Sequence, residues 1–114
     1  MATITMNQHT VSVRFTRAEK VAGLLRDIDV PRTAVTSATA EPDGLRAARG
    51  IRAPGLAIPG RRKIGTWRRR GHRSAVCVRR DEPALSLALS GGKYDELLIG
   101  AADARALAEQ LSRG

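Results

Sequence analysis

The residues best suited to recognition chemistry form one arginine-rich segment. Trp67-Arg-Arg-Arg-Gly-His-Arg73 is the densest positive stretch of the chain and holds its single tryptophan. Guanidinium groups bind carboxylates and phosphates through paired N–H donors, whereas one Trp is a poor platform for stacking bases and is more typical of a core residue. With the basic cluster that precedes it, the candidate binding surface comprises Arg61, Arg62, Lys63, Trp67, Arg68, Arg69, Arg70, His72 and Arg73.

The positive charge of the chain is concentrated in its middle third. Residues 44–80 contain 12 basic residues and no acidic one, whereas the rest of the 114 residues carries 8 basic and all 11 acidic residues. Seventeen of the 20 basic residues are Arg, and the abundance of Ala and Gly beside them indicates that codon bias contributes to the formal charge of +9. The distribution of charge therefore points to a docking surface more strongly than the total does.

Four interpretations of the basic segment remain open at this stage. It is a solvated face or one that meets the protein's own acidic elements in a dimer, or it docks an acidic protein, an anionic membrane surface or a nucleic-acid backbone. About four basic residues at about 1 kcal/mol each would give salt-sensitive membrane attraction without anchoring. We expect a non-catalytic binding or adaptor module that docks an acidic partner or anionic surface. The alternatives are a basic protein that binds nucleic-acid phosphates non-specifically and a small enzyme with an unrecognised pocket.

Catalytic, metal and cofactor chemistry find little support in the residue pattern. The segment from Gly55 to Arg62 has the glycine spacing of a phosphate-binding loop but lacks its Lys and its Ser or Thr. His9, His72 and Cys77 do not occur at metal-ligating spacings, and a packed thiol is expected for Cys77. We therefore expect no catalytic, metal-binding or cofactor-binding residue.

Alternating and helical patterns predict the elements that position the basic segment. Val11, Val13 and Phe15 alternate with polar residues, which predicts a strand over 10–15. A capping-box spacing begins at Thr16, and a following apolar stripe predicts a helix over 17–28 that ends before Pro31.

The pattern of the remaining chain predicts short strands followed by a C-terminal helix. Residues 63–69 and 74–80 predict a hairpin whose Gly71 supplies positive φ, and Leu85, Leu87 and Leu89 alternate with small residues in a strand that turns at Gly91-Gly92. The other expected elements are strands over 33–41, 45–51 and 94–99, a loop with two Pro-Gly turns over 52–60, and a C-terminal helix over about 103–112.

The strand order, with Gly50-Ile-Arg-Ala-Pro-Gly55, Gly65-Thr-Trp-Arg68 and Val78-Arg-Arg80, resembles the small bacterial PH-domain-like proteins of actinobacterial type, which have no assigned function. The resemblance covers about Thr10 to Leu111 and implies an α+β, mainly β fold. That fold has about seven antiparallel strands in two near-orthogonal sheets or a partly open barrel, with a C-terminal capping helix. The expected N-terminal helix would replace the loop that carries the lipid-binding pattern of eukaryotic PH domains, so that site is not transferred.

Domain organisation and location follow from the same patterns. We expect a flexible N-terminus over 1–9 and a single domain over 10–112. The first residues lack the basic and apolar regions of a secretory signal, and no apolar run approaches the roughly 20 residues that cross a bilayer. A cytoplasmic location without a transmembrane segment is therefore expected, and homo-oligomers are compatible with the pattern.

Overall fold

The computed structural model describes residues 3–18, 20, 26–43, 51–58, 62–69, 71–79, 82–90 and 94–113. The elements with defined bounds are nine strands, a 3-10 turn and one α-helix. The strands are β1 (Thr3–Met6), β2 (Thr10–Arg14), β3 (Ile28–Pro31), β4 (Val35–Glu41), β5 (Ile51–Ile58), β6 (Arg62–Arg69), β7 (His72–Arg79), β8 (Ala84–Leu89) and β9 (Glu96–Gly100). A 3-10 turn (Arg32–Ala34) joins β3 to β4, and the helix α1 (Ala104–Arg113) closes the described chain.

The strands form one three-stranded and one six-stranded sheet. The smaller sheet has the order β1-β2-β3, and the larger has the order β4-β8-β9-β7-β6-β5. All described strand pairs are antiparallel except β7 with β9, which run parallel. The parallel pair arises because β9 inserts between β7 and β8 instead of lying at an edge.

The main core lies between the two sheets and the helix. Val11 and Val13 on β2 and Phe15 directly after it are buried in this core, as the alternation of the sequence predicts. Ala104 and Ala108 stand one turn apart on α1 and enter the same core. Their small side chains allow the helix backbone to lie close to the sheet.

A second apolar cluster occupies the other face of the larger sheet. Val76 and Val78 pack there with Trp67, Ala84 and Leu98, whereas Ala75 and Cys77 enter the main core. Successive strand residues point to opposite faces, so β7 is covered on both sides. The expected two-sided burial of residues 75–78 and the packed thiol of Cys77 are confirmed.

The predicted fold class is wrong in its helices, its strand number and its sheet arrangement. The C-terminal helix is present, whereas the expected helix over 17–28 is wrong in its extent: of the described residues in that range, 17, 18 and 20 are helical, residues 26–27 are irregular and Ile28 begins β3. The amide of Lys20 donates to the carbonyl of Thr16 at 3.0 Å, which is the i to i−4 hydrogen bond of an α-helix. Residues 19 and 21–25 lie outside the described residues.

Where seven antiparallel strands were expected, the described residues form nine, with one parallel pair, in sheets of three and six. Residues 3–6, expected to be flexible, form β1 and pair with β2. The expected loop over 52–60 is largely β5, an edge strand whose register with β6 shifts between Arg52 and Gly55. A bulge on an edge strand tolerates Pro54, which lacks an N–H to donate. The strand expected over 45–51 falls outside the described residues except for Ile51.

Candidate functional site

The arginine-rich segment folds as the hairpin β6–β7. The two strands pair in continuous register from Arg62 opposite Arg79 to Arg69 opposite His72. Gly71 lies in the turn directly before β7 and has a φ of +67°. The hairpin predicted from the sequence is confirmed, and so is the positive φ at this glycine.

The register of the hairpin places arginine opposite arginine near both of its ends. Arg68 lies opposite Arg73 beside the turn, and Arg62 lies opposite Arg79 at the far end. Like charges directly across an antiparallel pair repel and destabilise the sheet. The hairpin therefore concentrates positive charge at positions where an added anion would lower the energy of two residues at once.

The structure brings the predicted site residues together on one hairpin but does not leave all of them accessible. Trp67 is only 4% exposed and belongs to the second apolar cluster, whereas Lys63, His72 and Arg73 are half-buried. The expectation that Trp67 is a core residue is thus confirmed. Arg62, Arg68 and Arg69 lie on β6, while Arg61 and Arg70 fall outside the described residues.

A polar cluster beside the hairpin was not expected from the sequence. The carboxylate of Glu96 accepts hydrogen bonds from the hydroxyl of Ser74 at 3.0 Å and from the hydroxyl of Ser86 at 3.1 Å. Nε2 of His72 lies 3.8 Å from Oε1 of Glu96 and is buried without a hydrogen-bond partner among the described residues. The cluster forms because β9 lies between β7 and β8, and the sequence contains no local signal for that order.

The hydrogen bonds of this cluster do not form a nucleophilic relay. A serine nucleophile needs its hydroxyl bonded to an imidazole that acts as base, with the carboxylate behind the imidazole. Here the hydroxyl of Ser74 donates directly to Glu96, and the imidazole of His72 approaches the same carboxylate. The arrangement anchors β9 to its two neighbouring strands.

A second carboxylate fixes the start of β9 to the hairpin. The amide of Arg73 donates to Oδ2 of Asp95 at 2.8 Å, and the amide of Asp95 donates to the carbonyl of Arg73 at 2.8 Å. Asp95 thereby brings one negative charge close to the base of the hairpin turn. Its contact is with the backbone of Arg73.

A cleft of about 660 Å³ lies away from the hairpin and was missed by the sequence interpretation. Its walls combine the chain from 26 to 34 with the end of β8 and the residues before β9, and they are formed by Arg26, Asp27, Ile28, Asp29, Val30, Pro31, Thr33, Ala34, Leu89, Ser90 and Tyr94. These stretches are more than fifty positions apart in the sequence, so no motif marks them. Because a helix was expected over 17–28, the sequence did not predict β3, which forms one wall.

The two carboxylates of the cleft wall are engaged within the protein. Asp27 accepts a hydrogen bond from the amide of Phe15 at 3.0 Å and pairs with Lys20 at 3.2 Å, and these contacts hold the pKa of its carboxyl below the usual value. The hydroxyl of Ser12 and the guanidinium of Arg14 lower the pKa of Asp29 in the same way. Both groups are therefore ionised at neutral pH.

Comparison with known proteins gave no further assignment. No family model, no curated protein and no solved structure matches this chain. The resemblance to PH-domain-like proteins thus remains a prediction from the sequence. Within the described ranges, no helix combines the length and apolar character needed to span a membrane.

Proposed function

We propose that this protein is a non-catalytic, cytoplasmic binding module that docks an acidic partner protein through the β6–β7 hairpin. The observation that carries the proposal is the register that sets Arg68 opposite Arg73 and Arg62 opposite Arg79. A carboxylate placed between two such arginines relieves their repulsion and accepts charge-assisted hydrogen bonds. An acidic partner would thus bind most favourably at the positions where repulsion between arginines destabilises the free hairpin.

Two hairpin arginines whose side chains the structure describes, Arg73 and Arg79, are not engaged by acidic groups of the described residues. Residues 44–80 contain no acidic residue, and the guanidinium groups of Arg73 and Arg79 form no ion pair with a carboxylate of the described residues. The carboxylate of Asp95, directly before β9, accepts a hydrogen bond from a backbone amide, and that of Glu96, the first residue of β9, accepts from two serine hydroxyls. The compensating negative charge is therefore expected from a partner.

The burial of Trp67 favours a protein partner over the other anionic targets. Single-stranded nucleic acids bind through aromatic platforms beside a basic groove, and Trp67 is enclosed in the core. Interfacial membrane binding combines basic residues with inserted apolar side chains, and residues 68–73 contain no apolar side chain. Carboxylates on a protein surface require only the guanidinium groups that the hairpin offers.

A charge-matched pair of variants tests the proposal. R68S/R73S removes two charges from the hairpin, and R17S/R105S removes two charges at exposed positions outside it. Each protein is titrated with polyglutamate, with vesicles with and without phosphatidylglycerol, and with a random DNA duplex at two salt concentrations. We expect polyglutamate to bind wild type and the control equally and R68S/R73S about tenfold more weakly, which corresponds to about 1.4 kcal/mol. Equal binding by R68S/R73S, or tighter binding of DNA or vesicles than of polyglutamate, would contradict an acidic protein partner.

A further inference from the structure

The cleft beside β3 follows the backbone edge of that strand. Among the described strands, the one neighbour of β3 is β2, so β3 ends the three-stranded sheet. All four residues of Ile28–Pro31 line the cleft, although consecutive side chains of a strand point to opposite faces. A space that contacts all four therefore runs along the unpaired edge of the strand.

A hydrogen bond at the end of β3 shows which of its residue pairs with β2 are hydrogen-bonded and which are not. Pro31 lies opposite Thr10, and the amide of Arg32 donates to the carbonyl of His9 at 2.9 Å. In an antiparallel ladder, a bond between the residues just outside a pair marks that pair as non-hydrogen-bonded. The backbone N–H and C=O groups of such a pair point away from the partner strand. The absence of an N–H on proline agrees with that position.

The same alternation of bonded and non-bonded pairs places the N–H and C=O of Asp29 on the cleft side of β3. Bonded and non-bonded pairs alternate along an antiparallel ladder, so the pair of Asp29 with Ser12, two positions from Pro31, is also non-bonded. The N–H and C=O of Asp29 and the C=O of Pro31 therefore point away from β2. They form a short row of donor and acceptor groups on the side where the cleft lies.

The cleft lining outside β3 can receive an apolar side chain. Ala34, Leu89 and Tyr94 are half-buried there. The volume of about 660 Å³ falls in the range of about 300–1,000 Å³ that is usual for ligand sites. Four strand residues span about 13 Å at about 3.3 Å each, which matches the length of a short extended peptide.

The charged residues near β3 favour a peptide with a carboxylate at its carboxyl-terminal end. The carboxylates of Asp27 and Asp29 already have partners within the protein, whereas the exposed Arg26 makes no ion pair with the described residues. A strand that pairs antiparallel with β3 has its carboxyl-terminal end beside Arg26. A carboxylate at that end of the peptide would complement the guanidinium.

We propose that the β3 edge is a docking site for an extended peptide segment of a partner protein. The segment adds to β3 as an antiparallel fourth strand, with its backbone bonded to the N–H and C=O of Asp29 and to the C=O of Pro31. One apolar side chain packs against Leu89 and Tyr94, and a carboxylate at the carboxyl-terminal end pairs with Arg26. This site is separate from the arginine-rich hairpin and does not depend on the function proposed for it.

Two substitutions of Asp29 distinguish the contribution of its backbone N–H from that of its side chain. Asp29→Pro removes the outward N–H without removing a ladder bond to β2, and Asp29→Ala removes the same side-chain contacts but keeps the N–H. The probe is a library of heptapeptides with free carboxyl termini, selected on the wild-type protein. We expect selected peptides to combine apolar and extended residues with a terminal or near-terminal carboxylate. They should bind D29P about tenfold more weakly than D29A, the effect of one backbone hydrogen bond, and R26A more weakly than wild type.

A second measurement uses the wild-type protein and does not depend on the folding of D29P. The selected peptide, N-methylated at the amide that faces Asp29, should lose binding, and the unmethylated peptide should slow hydrogen exchange of the Asp29 amide. Selection of no peptide, or of peptides that leave Asp29 exchange unchanged, would overturn the proposal. Concentration-dependent protection of Asp29 without any peptide would also overturn it, because a second copy of the chain would then be the occupant.

Discussion

The hydroxyl of Ser74 donates a 3.0 Å hydrogen bond to Glu96 across the parallel pair β7 and β9. The other oxygen of the same carboxylate accepts from Ser86 on β8, so one side chain connects three adjacent strands. Glu96 is 28% exposed in this position, and His72 beside it is 27% exposed. This carboxylate therefore holds β9 in the centre of the larger sheet, next to the arginine-rich hairpin.

Replacing Glu96 by Gln should destabilise the fold. A glutamine has one acceptor oxygen where the carboxylate has two, and it carries no charge. One serine hydroxyl therefore loses its acceptor, and the bond of the other is no longer charge-assisted. We expect E96Q to lower the free energy of unfolding by about 1–2 kcal/mol in urea titrations. The exposed Glu109→Gln on α1 removes the same charge and should change stability by less than about 0.5 kcal/mol. A double-mutant cycle with S74A should show positive coupling, and independent effects of the two substitutions would contradict a shared hydrogen bond.

Replacing Gly71 in the hairpin turn should cost stability for a backbone reason. Its φ of +67° lies in the left-handed region, and an added Cβ would meet no atom within 4 Å. The expected loss for Gly71→Ala is therefore conformational, about 1 kcal/mol by thermal or urea unfolding. Asn tolerates this region better than Ala, so G71N should be the more stable variant. Equal losses in the two variants would indicate a steric cause instead.

The sequence predicts those elements whose pattern is local. Alternation identifies β2 and β8, because one buried face imposes a period of two on each strand. The hairpin β6–β7 is identified instead by its apolar run over 75–78 and by the turn glycine, Gly71. It does not identify the four-residue β3, because Ile28 fits the end of a helical stripe as well as the start of a strand. The pair Pro54-Gly55 likewise indicates a turn in the sequence, although a bulged edge strand accommodates it.

The sites show the same limit on prediction. The arginine-rich hairpin is contiguous in sequence, so its residues could be grouped before the structure was known. The Glu96 cluster depends on the parallel pairing of β7 with β9, and the cleft joins residues near 30 to residues near 90. Neither arrangement leaves a signal in residue spacing because strand order in a sheet is set by contacts along the whole chain.

Acidification should weaken the β2–β3 region through Asp27 and Asp29. The pKa of each carboxyl is lowered in the folded state, for Asp27 first by the amide of Phe15 and for Asp29 first by the hydroxyl of Ser12. Such groups contribute stability that is fully present above the unfolded pKa of about 3.9 and is lost as pH falls through the lower folded value. Urea midpoints measured from pH 6 to pH 2 should therefore fall more for wild type than for D27N/D29N. Parallel pH profiles of the two proteins would contradict this assignment.

Enlarging Ala104 should disrupt the contact between α1 and the larger sheet. Ala104 has no exposed surface and lies in the main core with Ala108, whereas Ala106 on the same helix is exposed. Leu and Ala have similar helix propensities, so Ala104→Leu and Ala106→Leu differ mainly in packing. We expect A104L to lower the free energy of unfolding by about 1–3 kcal/mol and A106L to change it by less than about 0.5 kcal/mol. If A104L were as stable as A106L, the helix would not be held against the sheet at this position, and the main core would lack the tight contact described.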